Sequence, residues 1–364
     1  MTGEPEARRD AIAALVPPLL KALETLGLVT RYLHPPNLPR LVESVKDVVA
    51  PVREARDGLY SAAWPEDLHS LRDRLDSAAK YVCLAFDGLA EAAADPNGLL
   101  NAFRAMRNNT RAMEALYPLA NHLPPISRFF IDDDRRTDES LLARLSNSDP
   151  KRDEVGITHI DNARENRGGY SVYVPEYYEP DKAHPLVVTL HGGSGHGADF
   201  LWTWLRTARS RGVILLSPTS VERTWALGGP DVDSLRIHEL VSDAREQWNI
   251  DPSKLLLTGM SDGGTFGLIS GLRDDSPFTH LAPSSTGFHS VLLQNRKGRR
   301  LKGLPIYLIH GALDWMFPVD RARTASTVLE NAGADITYRE IEDLSHTYPQ
   351  DENPRIMDWF LGAN

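Results

Sequence analysis

Two patterns of apolar residues divide the chain at about residue 150. Before that point apolar residues recur every three or four positions, as they do on one face of a helix, and strand-like alternation is scarce. We predict helices across Leu38–Ala55 and Gly98–Leu119, separated by proline-rich segments, because proline lacks the amide donor that a helix interior needs. Residues 1–150 are therefore predicted to form an all-α helical domain. The clearest apolar stripe consists of Leu68, Leu71, Leu75, Ala79, Val82, Phe86 and Leu89.

The role of this helical domain is open between a packing core, the seam of a homodimer and a lid. Packing or dimerisation is favoured, because the stripe from Leu68 to Leu89 is long and regular whereas lids are usually shorter. A lid predicts that deleting residues 1–150 changes substrate specificity, and a dimer seam predicts that it changes sedimentation.

After Val155 short β-rich runs alternate with helical segments. The run YSVYVP alternates in polarity, which predicts an exposed or antiparallel strand. The runs PLVVTLHG, GVILLSP, KLLLTG and LPIYLIHG are almost continuously apolar, which is typical of parallel strands covered on both faces. Residues 151–364 are therefore predicted to form a doubly wound, mostly parallel α/β sheet. In such a sheet, ligands and catalytic groups gather at the carboxyl ends of the strands.

Composition and charge narrow the classes of function. The 364 residues are 41% hydrophobic and carry a net charge of -10, with 18 basic and 22 acidic residues up to residue 150 and 22 and 28 after it. Because neither half is basic, no nucleic-acid partner is expected. The single cysteine, Cys83, excludes an internal disulfide or a thiolate metal cluster. The N-terminus resembles no signal peptide, and its apolar stretch, broken by Pro17 and Pro18, is too short for a transmembrane segment, so a cytoplasmic protein is predicted.

The sequence GMSDG, centred on Ser261, matches Gly-x-Ser-x-Gly. It follows a strand of the buried type and precedes GTFGLISGL, a predicted helix. In a strand–turn–helix setting this motif lifts the serine hydroxyl off a tight turn, as a nucleophile requires. The alternative is that Ser261 is only a turn residue between glycines.

A nucleophilic serine needs a base, and the base needs an orienting acid. His310 and His346 follow the last predicted strands, and His346 lies in the loop before the final helix, where it can reach the serine. Asp314 comes just after LPIYLIHG, at the carboxyl end of its strand. Taken singly, Asp314 could cap a turn and His346 could be a surface residue. The order Ser261, Asp314, His346 favours a catalytic triad.

The glycine-rich sequence HGGSGHGADF follows the first predicted buried strand. Its turn is predicted to form an oxyanion hole, in which the amide of Gly193, or of the neighbouring Ser194, acts together with that of Asp262. It contains no nucleotide-binding glycine motif. His191 and His196 lack a third ligand nearby, so no metal and no cofactor is predicted.

The sequences LHGGSGHGADF, DPSKLLLTGMSDGG, HGALDWMFP and LSHTYP resemble those of α/β-hydrolase serine esterases, in the phospholipase/carboxylesterase, feruloyl-esterase-like or polyhydroxybutyrate-depolymerase-like branch. The resemblance extends from Tyr170 to the C-terminus and leaves the helical domain unmatched. It implies Ser261 as nucleophile, His346 as base, Asp314 as its partner, and Gly193 with Asp262 as oxyanion donors. Two positions depart from the commonest pattern: Asp262 stands where many members have glutamine, and a serine precedes His346 where glycine is more frequent.

The expected reaction is hydrolysis of a small-molecule carboxylic ester through an acyl-enzyme intermediate. Because the same motif serves other leaving groups, a peptidase or thioesterase is an alternative, as is a non-catalytic binding or scaffold protein. Apolar residues near the site predict a pocket for an apolar or aromatic acyl group. The pocket residues predicted are Trp225, Trp315, Met316 and Phe317, with Trp202, Trp204 and Phe288 as further candidates, some of which are expected in the core.

Overall fold

The structure is a computed structural model that describes residues 3–95, 98–149, 152–289 and 300–362. It divides between Arg136 and Thr137 into two compact units, named here the helical unit and the sheet unit. This division lies before residue 150, the boundary expected from the sequence. The helix Glu139–Ser146 belongs to the sheet unit, where the guanidinium of Arg144 lies 4.5 Å from the ring centroid of Tyr177.

The helical unit is built on the predicted apolar stripe. Leu75 and Leu89 of that stripe are fully buried, and at Gly88 an added Cβ would lie 2.7 Å from the Cβ of Ala105 on the next helix. This close approach requires glycine, and it lets the two long helices pack tightly. The helices of the unit are α1 Gly3–Tyr32, α2 Leu38–Val45, α3 Ala50–Leu59, α4 His69–Ala94, α5 Leu99–Leu116 and α6 Pro124–Phe129.

Two expectations for the helical unit need correction. The single helix predicted over Leu38–Ala55 is divided into α2 and α3 by a 3₁₀ turn at Lys46–Val49, because Pro51 in the first turn of α3 has no amide for a continuous helix. The second expectation was that Pro17 and Pro18 break the N-terminal apolar stretch, but α1 continues through both prolines. Its apolar residues hold that helix in place despite the lost hydrogen bonds.

Helix α1 also bears on the expectation that no segment is long enough to cross a membrane. By length and composition alone, Glu4–Tyr32 is apolar enough to do so, and 39% of its most apolar stretch is buried. A helix that packs into a protein core passes the same test. The absence of a transmembrane segment and the cytoplasmic location therefore stay predictions.

The sheet unit contains one eight-stranded sheet in the order β1-β2-β4-β3-β5-β6-β7-β8. Strands β1 and β2 pair antiparallel, β2 pairs antiparallel with β4, and the remaining pairs are parallel. The predicted architecture is confirmed: a mostly parallel α/β sheet, preceded in the chain by an all-helical region. The strands are β1 Gly156–Ile160, β2 Tyr170–Val174, β3 His184–Leu190, β4 Ile214–Pro218, β5 Ile250–Met260, β6 His280–Ser284, β7 Pro305–Gly311 and β8 Asp335–Ile341.

Helices accompany the strands, as the sequence predicts for a doubly wound sheet. Apolar side chains are buried on both faces of the sheet, as adjacent positions such as Val187 and Val188 of β3 show. The carboxyl ends of β3, β5 and β7 lead into the predicted oxyanion loop, nucleophile and acid. The helices are α7 Glu139–Ser146, α8 Gly197–Phe200, α9 Leu205–Arg211, α10 Asp233–Gln247, α11 Asp262–Gly271, α12 Val319–Asn331 and α13 Asn353–Leu361.

Candidate active site

Ser261 lies in the turn between β5 and α11. Its backbone has φ 56° and ψ −120°, a left-handed conformation that costs a non-glycine residue about 1–3 kcal/mol. The glycines on either side make the turn possible. A Cβ at Gly259 would lie 2.7 Å from the carbonyl carbon of Gly263, and a Cβ at Gly263 would collide with the Leu190 carbonyl oxygen. The strand, the turn and the helix can therefore approach only where these positions carry no side chain.

The structure brings the three predicted triad residues together. Nε2 of His346 lies 3.0 Å from Oγ of Ser261, and its Nδ1 lies 2.9 Å from Oδ2 of Asp314. Because a carboxylate only accepts hydrogen bonds, Nδ1 carries the proton and Nε2 is free to accept from the serine hydroxyl. All three side chains are buried. This arrangement can remove a proton from the serine and stabilise the resulting imidazolium.

The Asp314 carboxylate is held in its charged form. Burial acts to raise its pKa, but the hydrogen bond with His346 and that from the Phe317 amide together outweigh burial, and the pKa is lowered. Its other oxygen, Oδ1, accepts from the amides of Met316 at 2.9 Å and Phe317 at 2.8 Å. The turn after β7 therefore fixes both the position and the charge of the acid.

His310, the other histidine considered from the sequence, has its Nε2 engaged by the turn after β7. It is fully buried, and its Nε2 donates to the carbonyl oxygen of Phe317 at 2.7 Å. His310 therefore supports the turn that carries Asp314.

Aromatic packing holds the loop that carries His346. Tyr348 is buried, donates through its hydroxyl to Oδ1 of Asn353 at 2.8 Å, and meets the Phe200 ring edge to face at 5.3 Å. Asn353 in turn donates through Nδ2 to the carbonyl oxygen of Thr203 at 2.7 Å. This chain of contacts fixes the position from which His346 reaches Ser261.

The glycine-rich loop after β3 lies beside the nucleophile. A Cβ at Gly192 would lie 3.6 Å from the Cβ of Ser261. His191 orders the start of this loop: its Nε2 accepts from the Ser220 amide at 3.1 Å, so its Nδ1 donates to the Gly192 carbonyl oxygen at 2.7 Å. Burial lowers the pKa of His191 to about 3, so its ring stays neutral and keeps this pattern.

Arg167 holds the far side of the same loop. Its guanidinium donates to the carbonyl oxygens of Gly195 and Glu222, each at 2.7 Å, and to the hydroxyl of Ser220. The loop with Gly193 is thus fixed from both ends, which favours a preformed donor geometry for an oxyanion.

Asp262 follows the nucleophile as the first residue of α11. Amides in the first turn of a helix have no acceptor within that helix, so the Asp262 amide is suited to an oxyanion, and the helix dipole favours negative charge there. The Asp262 carboxylate accepts a hydrogen bond from Oγ1 of Thr224 at 2.6 Å. A Cβ at Gly193 would lie 2.6 Å from the same carboxylate oxygen, so the two predicted donor residues are neighbours.

The four predicted pocket residues occupy two environments. Trp225 is only 3% exposed: its ring stacks on Phe266 in the core, and its Nε1 donates to the His191 carbonyl oxygen at 2.7 Å. The face of the indole is covered by Phe266 and its N–H group is bound by a buried carbonyl oxygen. Trp225 therefore lies beneath the oxyanion loop rather than on a pocket wall.

The other three follow Asp314 and surround the histidine. Trp315 and Met316 are 47% and 48% exposed, and Phe317 is half-buried. The ring centroids of Trp315 and Phe317 lie 6.3 Å and 5.4 Å from that of His346. These side chains are placed to contact a substrate bound at Ser261. Of the further candidates, Trp202 and Trp204 are buried and Phe288 packs against the core.

Both ring nitrogens of His196 are occupied within the fold. Nδ1 accepts from the Ala198 amide at 3.2 Å, and Nε2 donates to the Asn166 carbonyl oxygen at 3.0 Å. Within the described part of the chain, no three histidine, cysteine or acidic side chains are grouped so as to hold a metal ion.

Several supporting residues carry no signal in the sequence. Arg167, His191, Thr224 and Asn353 act through contacts that join distant parts of the chain. Tyr348 lies two positions after His346, His191 lies two positions before Gly193, and Thr224 directly precedes Trp225, but spacing alone gives no reason to assign them these roles.

Residues 232–360 match the sequence profile of the family described as Phospholipase/Carboxylesterase. This stretch contains Ser261, Asp314 and His346, whereas Gly193 lies before it. The predicted resemblance to α/β-hydrolase serine esterases is thereby confirmed over residues 232–360.

Solved structures similar to this chain include several esterases. A thermostable esterase is 21% identical with a TM-score of 0.47, and the match covers 58% of this chain and 63% of that one. Esterase 2 of Thermogutta terrifontis, phosphonylated by cyclosarin, is 15% identical with a TM-score of 0.46, covering 58% of this chain and 95% of that one. The fluorophosphonate-binding serine hydrolase F of Staphylococcus aureus, substrate bound, is 14% identical with a TM-score of 0.45, covering 56% and 97%.

Proposed function

We propose that this chain is a serine esterase that cleaves carboxylic esters of small molecules. The family match of residues 232–360 supports a hydrolase of the esterase type. One observation carries the proposal furthest: His346 lies within hydrogen-bond distance of both Ser261 Oγ, at 3.0 Å, and Asp314 Oδ2, at 2.9 Å. This is the reach that a nucleophile, its base and an orienting acid require.

In the proposed first step, His346 takes the Ser261 proton while Oγ attacks the carbonyl carbon of the ester. The Asp314 carboxylate stabilises the imidazolium, and the amides of Gly193 and Asp262 donate to the oxyanion. The imidazolium then protonates the departing alcohol oxygen, which leaves an acyl group on Ser261. In the second step His346 activates a water that attacks this acyl group, and a carboxylic acid is released. The serine and the neutral histidine are restored, and no cofactor takes part.

Replacement of Ser261 by alanine tests this proposal. We expect Ser261→Ala to lower kcat for a short p-nitrophenyl ester by a factor on the order of 10⁴ or more, since removal of a triad nucleophile leaves only binding and oxyanion stabilisation. The matched control is Ser44→Ala on the exposed face of α2, which should keep wild-type activity. Circular dichroism of both variants checks the fold. Near wild-type turnover by a folded Ser261→Ala protein would remove Ser261 from the mechanism.

The ester class is tested against the alternatives by changing the leaving group. An ester, a thioester and an aminoacyl anilide with the same acyl group should be compared by kcat/KM. We expect kcat/KM to be higher for the ester than for the thioester and the anilide. A faster thioester or anilide would indicate a thioesterase or a peptidase, and failure of all three would favour a binding or scaffold protein.

A further inference from the structure

The Asp262 carboxylate has no place in the mechanism proposed above. Its Oδ2 accepts from Thr224 at 2.6 Å and lies against Gly193, beside the predicted oxyanion hole. Across the described ranges no ion pair joins this carboxylate to a basic side chain. It is half-buried, so it is neither fully hydrated nor closed off from a bound molecule. A partly buried acid without a cationic partner therefore stands one residue after the nucleophile.

The position of this charge opposes the proposed chemistry for a neutral ester. The N-terminus of α11 favours one negative charge, and the carboxylate and the developing oxyanion both lie there. The carboxylate and the oxyanion carry charges of the same sign and therefore repel each other. A partly buried site screens this repulsion less than bulk water does. A positive group on the substrate would reverse the sign of this effect, because it would attract both negative charges.

Among the described residues, no basic side chain donates a hydrogen bond to the Asp262 carboxylate. Arg223, which precedes Thr224 in the adjoining loop, is exposed and donates through Nε to Oγ of Ser194 at 2.9 Å. Arg167 donates to carbonyl oxygens and a hydroxyl on the far side of the loop. Exposed aromatic surface near the site comes from Trp315, and the face of an indole attracts an ammonium group.

We propose that Asp262 is a substrate-recognition residue that binds a cationic group, of the ammonium class, on the ester. This inference rests on the proposed esterase function and names its substrate class. The amide of Asp262 remains an oxyanion donor, and its side chain selects the charge of the substrate. The hydrogen bond from Thr224 orients the carboxylate for this role.

Two isosteric ester pairs test the proposal. On the acyl side, the p-nitrophenyl ester of trimethylammonioacetic acid is compared with that of its tert-butyl isostere. On the alcohol side, acetylcholine is compared with the acetate of the tert-butyl isostere of choline. Within each pair the shape is nearly constant and the charge differs. The ratio of kcat/KM, cationic over neutral, is measured for the wild-type protein and for Asp262→Asn, so that intrinsic reactivity cancels between the two proteins.

We expect Asp262→Asn to lower this ratio by about tenfold or more for at least one pair, which identifies the side of the ester that carries the cation. The neutral ester should be turned over faster by Asp262→Asn than by the wild-type protein, since the repulsion of the oxyanion is removed. Added salt should lower the wild-type ratio. Thr224→Val, which removes the hydrogen bond but keeps the charge, should lower this ratio as well, but by less than Asp262→Asn does, because the carboxylate stays charged and loses only its orientation.

An unchanged ratio in Asp262→Asn for both pairs would overturn the proposal, and so would equal loss of both esters, which would indicate a purely structural carboxylate. These results differ from failure of the proposed function, in which the wild-type protein hydrolyses none of the four esters or Ser261→Ala hydrolyses them as well as the wild type.

Discussion

The helical unit and the sheet unit differ in backbone conformation and in the polarity of the groups that they bury. The helical unit is made of regular helices with a core of apolar side chains, of which Leu75 and Leu89 are examples. Among the described residues, every non-glycine residue with a left-handed backbone lies in the sheet unit, and the carboxyl ends of its strands bury many polar groups. The residues with that backbone are Asp161, Ser194, Ser261 and Ser285.

This difference indicates where functional residues are expected. Strained backbone and buried polar groups cost folding free energy, and they persist where the surrounding structure fixes them for a function. Ser194 and Ser261 belong to the two turns that form the candidate active site. The contrast predicts that changes in the sheet unit alter activity and that changes in the helical unit alter stability.

Among the substitutions that compare the two units, the largest effect is expected from His346→Ala. Loss of the base should lower kcat for a p-nitrophenyl ester by a factor on the order of 10⁴, because the serine hydroxyl no longer has an acceptor for its proton. The matched control in the helical unit is His122→Ala, an exposed histidine whose replacement should leave kcat unchanged. A comparable loss of kcat in the two variants would contradict the prediction that only changes in the sheet unit alter activity.

A core substitution in each unit gives the next effect. Leu89→Ala in α4 and Leu257→Ala in β5 each remove a buried side chain and should lower the free energy of unfolding by about 2–5 kcal/mol. Only Leu257→Ala should also lower kcat at 25 °C, because β5 leads directly into the turn that holds Ser261. Denaturant unfolding and ester hydrolysis measure the two quantities. A lower kcat in Leu89→Ala, at a temperature where it is folded, would show that the helical unit shapes the site.

The buried His191 should make the sheet unit sensitive to acid. Its pKa is lowered from the ordinary value of 6.5 to about 3, so between these pH values the unfolded chain binds a proton that the folded chain does not. Its contribution to the free energy of unfolding is complete above pH 6.5. It falls as the pH drops towards 3, by at most about 1.4 kcal/mol per pH unit.

His191→Asn should reduce this pH dependence and lower the free energy of unfolding at pH 7. Tryptophan fluorescence in denaturant, measured from pH 4 to 7, reports mainly on the sheet unit, because Trp64 is the one tryptophan before residue 137. The matched control is His122→Asn, at an exposed position of the helical unit. The same slope in His191→Asn and the wild type would contradict a neutral, buried His191.

The smallest effect is expected from the exposed aromatic residue of the site. Trp315→Ala should lower kcat/KM for an aromatic ester by a few-fold, about 1 kcal/mol or less, because a half-exposed ring loses little apolar contact. Tyr60→Ala, which removes an exposed ring of the helical unit, is the control and should have no effect. An unchanged kcat/KM in Trp315→Ala would remove this side chain from the substrate contacts.

The sequence predicts the proximity of Ser261, Asp314 and His346 because chain topology determines it. Parallel strands place their carboxyl ends at one edge of the sheet, so residues just after apolar strand runs meet there. The supporting contacts could not be predicted in this way. The bond between Thr224 and Asp262, for example, depends on the path of a long loop, which no periodicity in the sequence records.

The same reasoning explains which elements were missed. Strand β6 contains Pro283, and a proline within a short apolar run argues against a strand. Strand β1 is half polar because it lies at the edge of the sheet, where one side has no neighbouring strand. Trp225 was predicted to line a pocket because aromatic residues do so, yet sequence alone does not distinguish a core indole from a wall of the site.

Covalent labelling tests the central claim most directly. The wild-type protein, Ser261→Ala and His346→Ala are each treated with a fluorophosphonate, which reacts with activated serines, and the adduct is located by peptide mass spectrometry. If Ser261 is the nucleophile and His346 its base, the wild type carries one adduct on the peptide with Ser261. Ser261→Ala then carries none, and His346→Ala reacts far more slowly. An adduct on another serine, or no adduct on folded wild-type protein, would contradict the account.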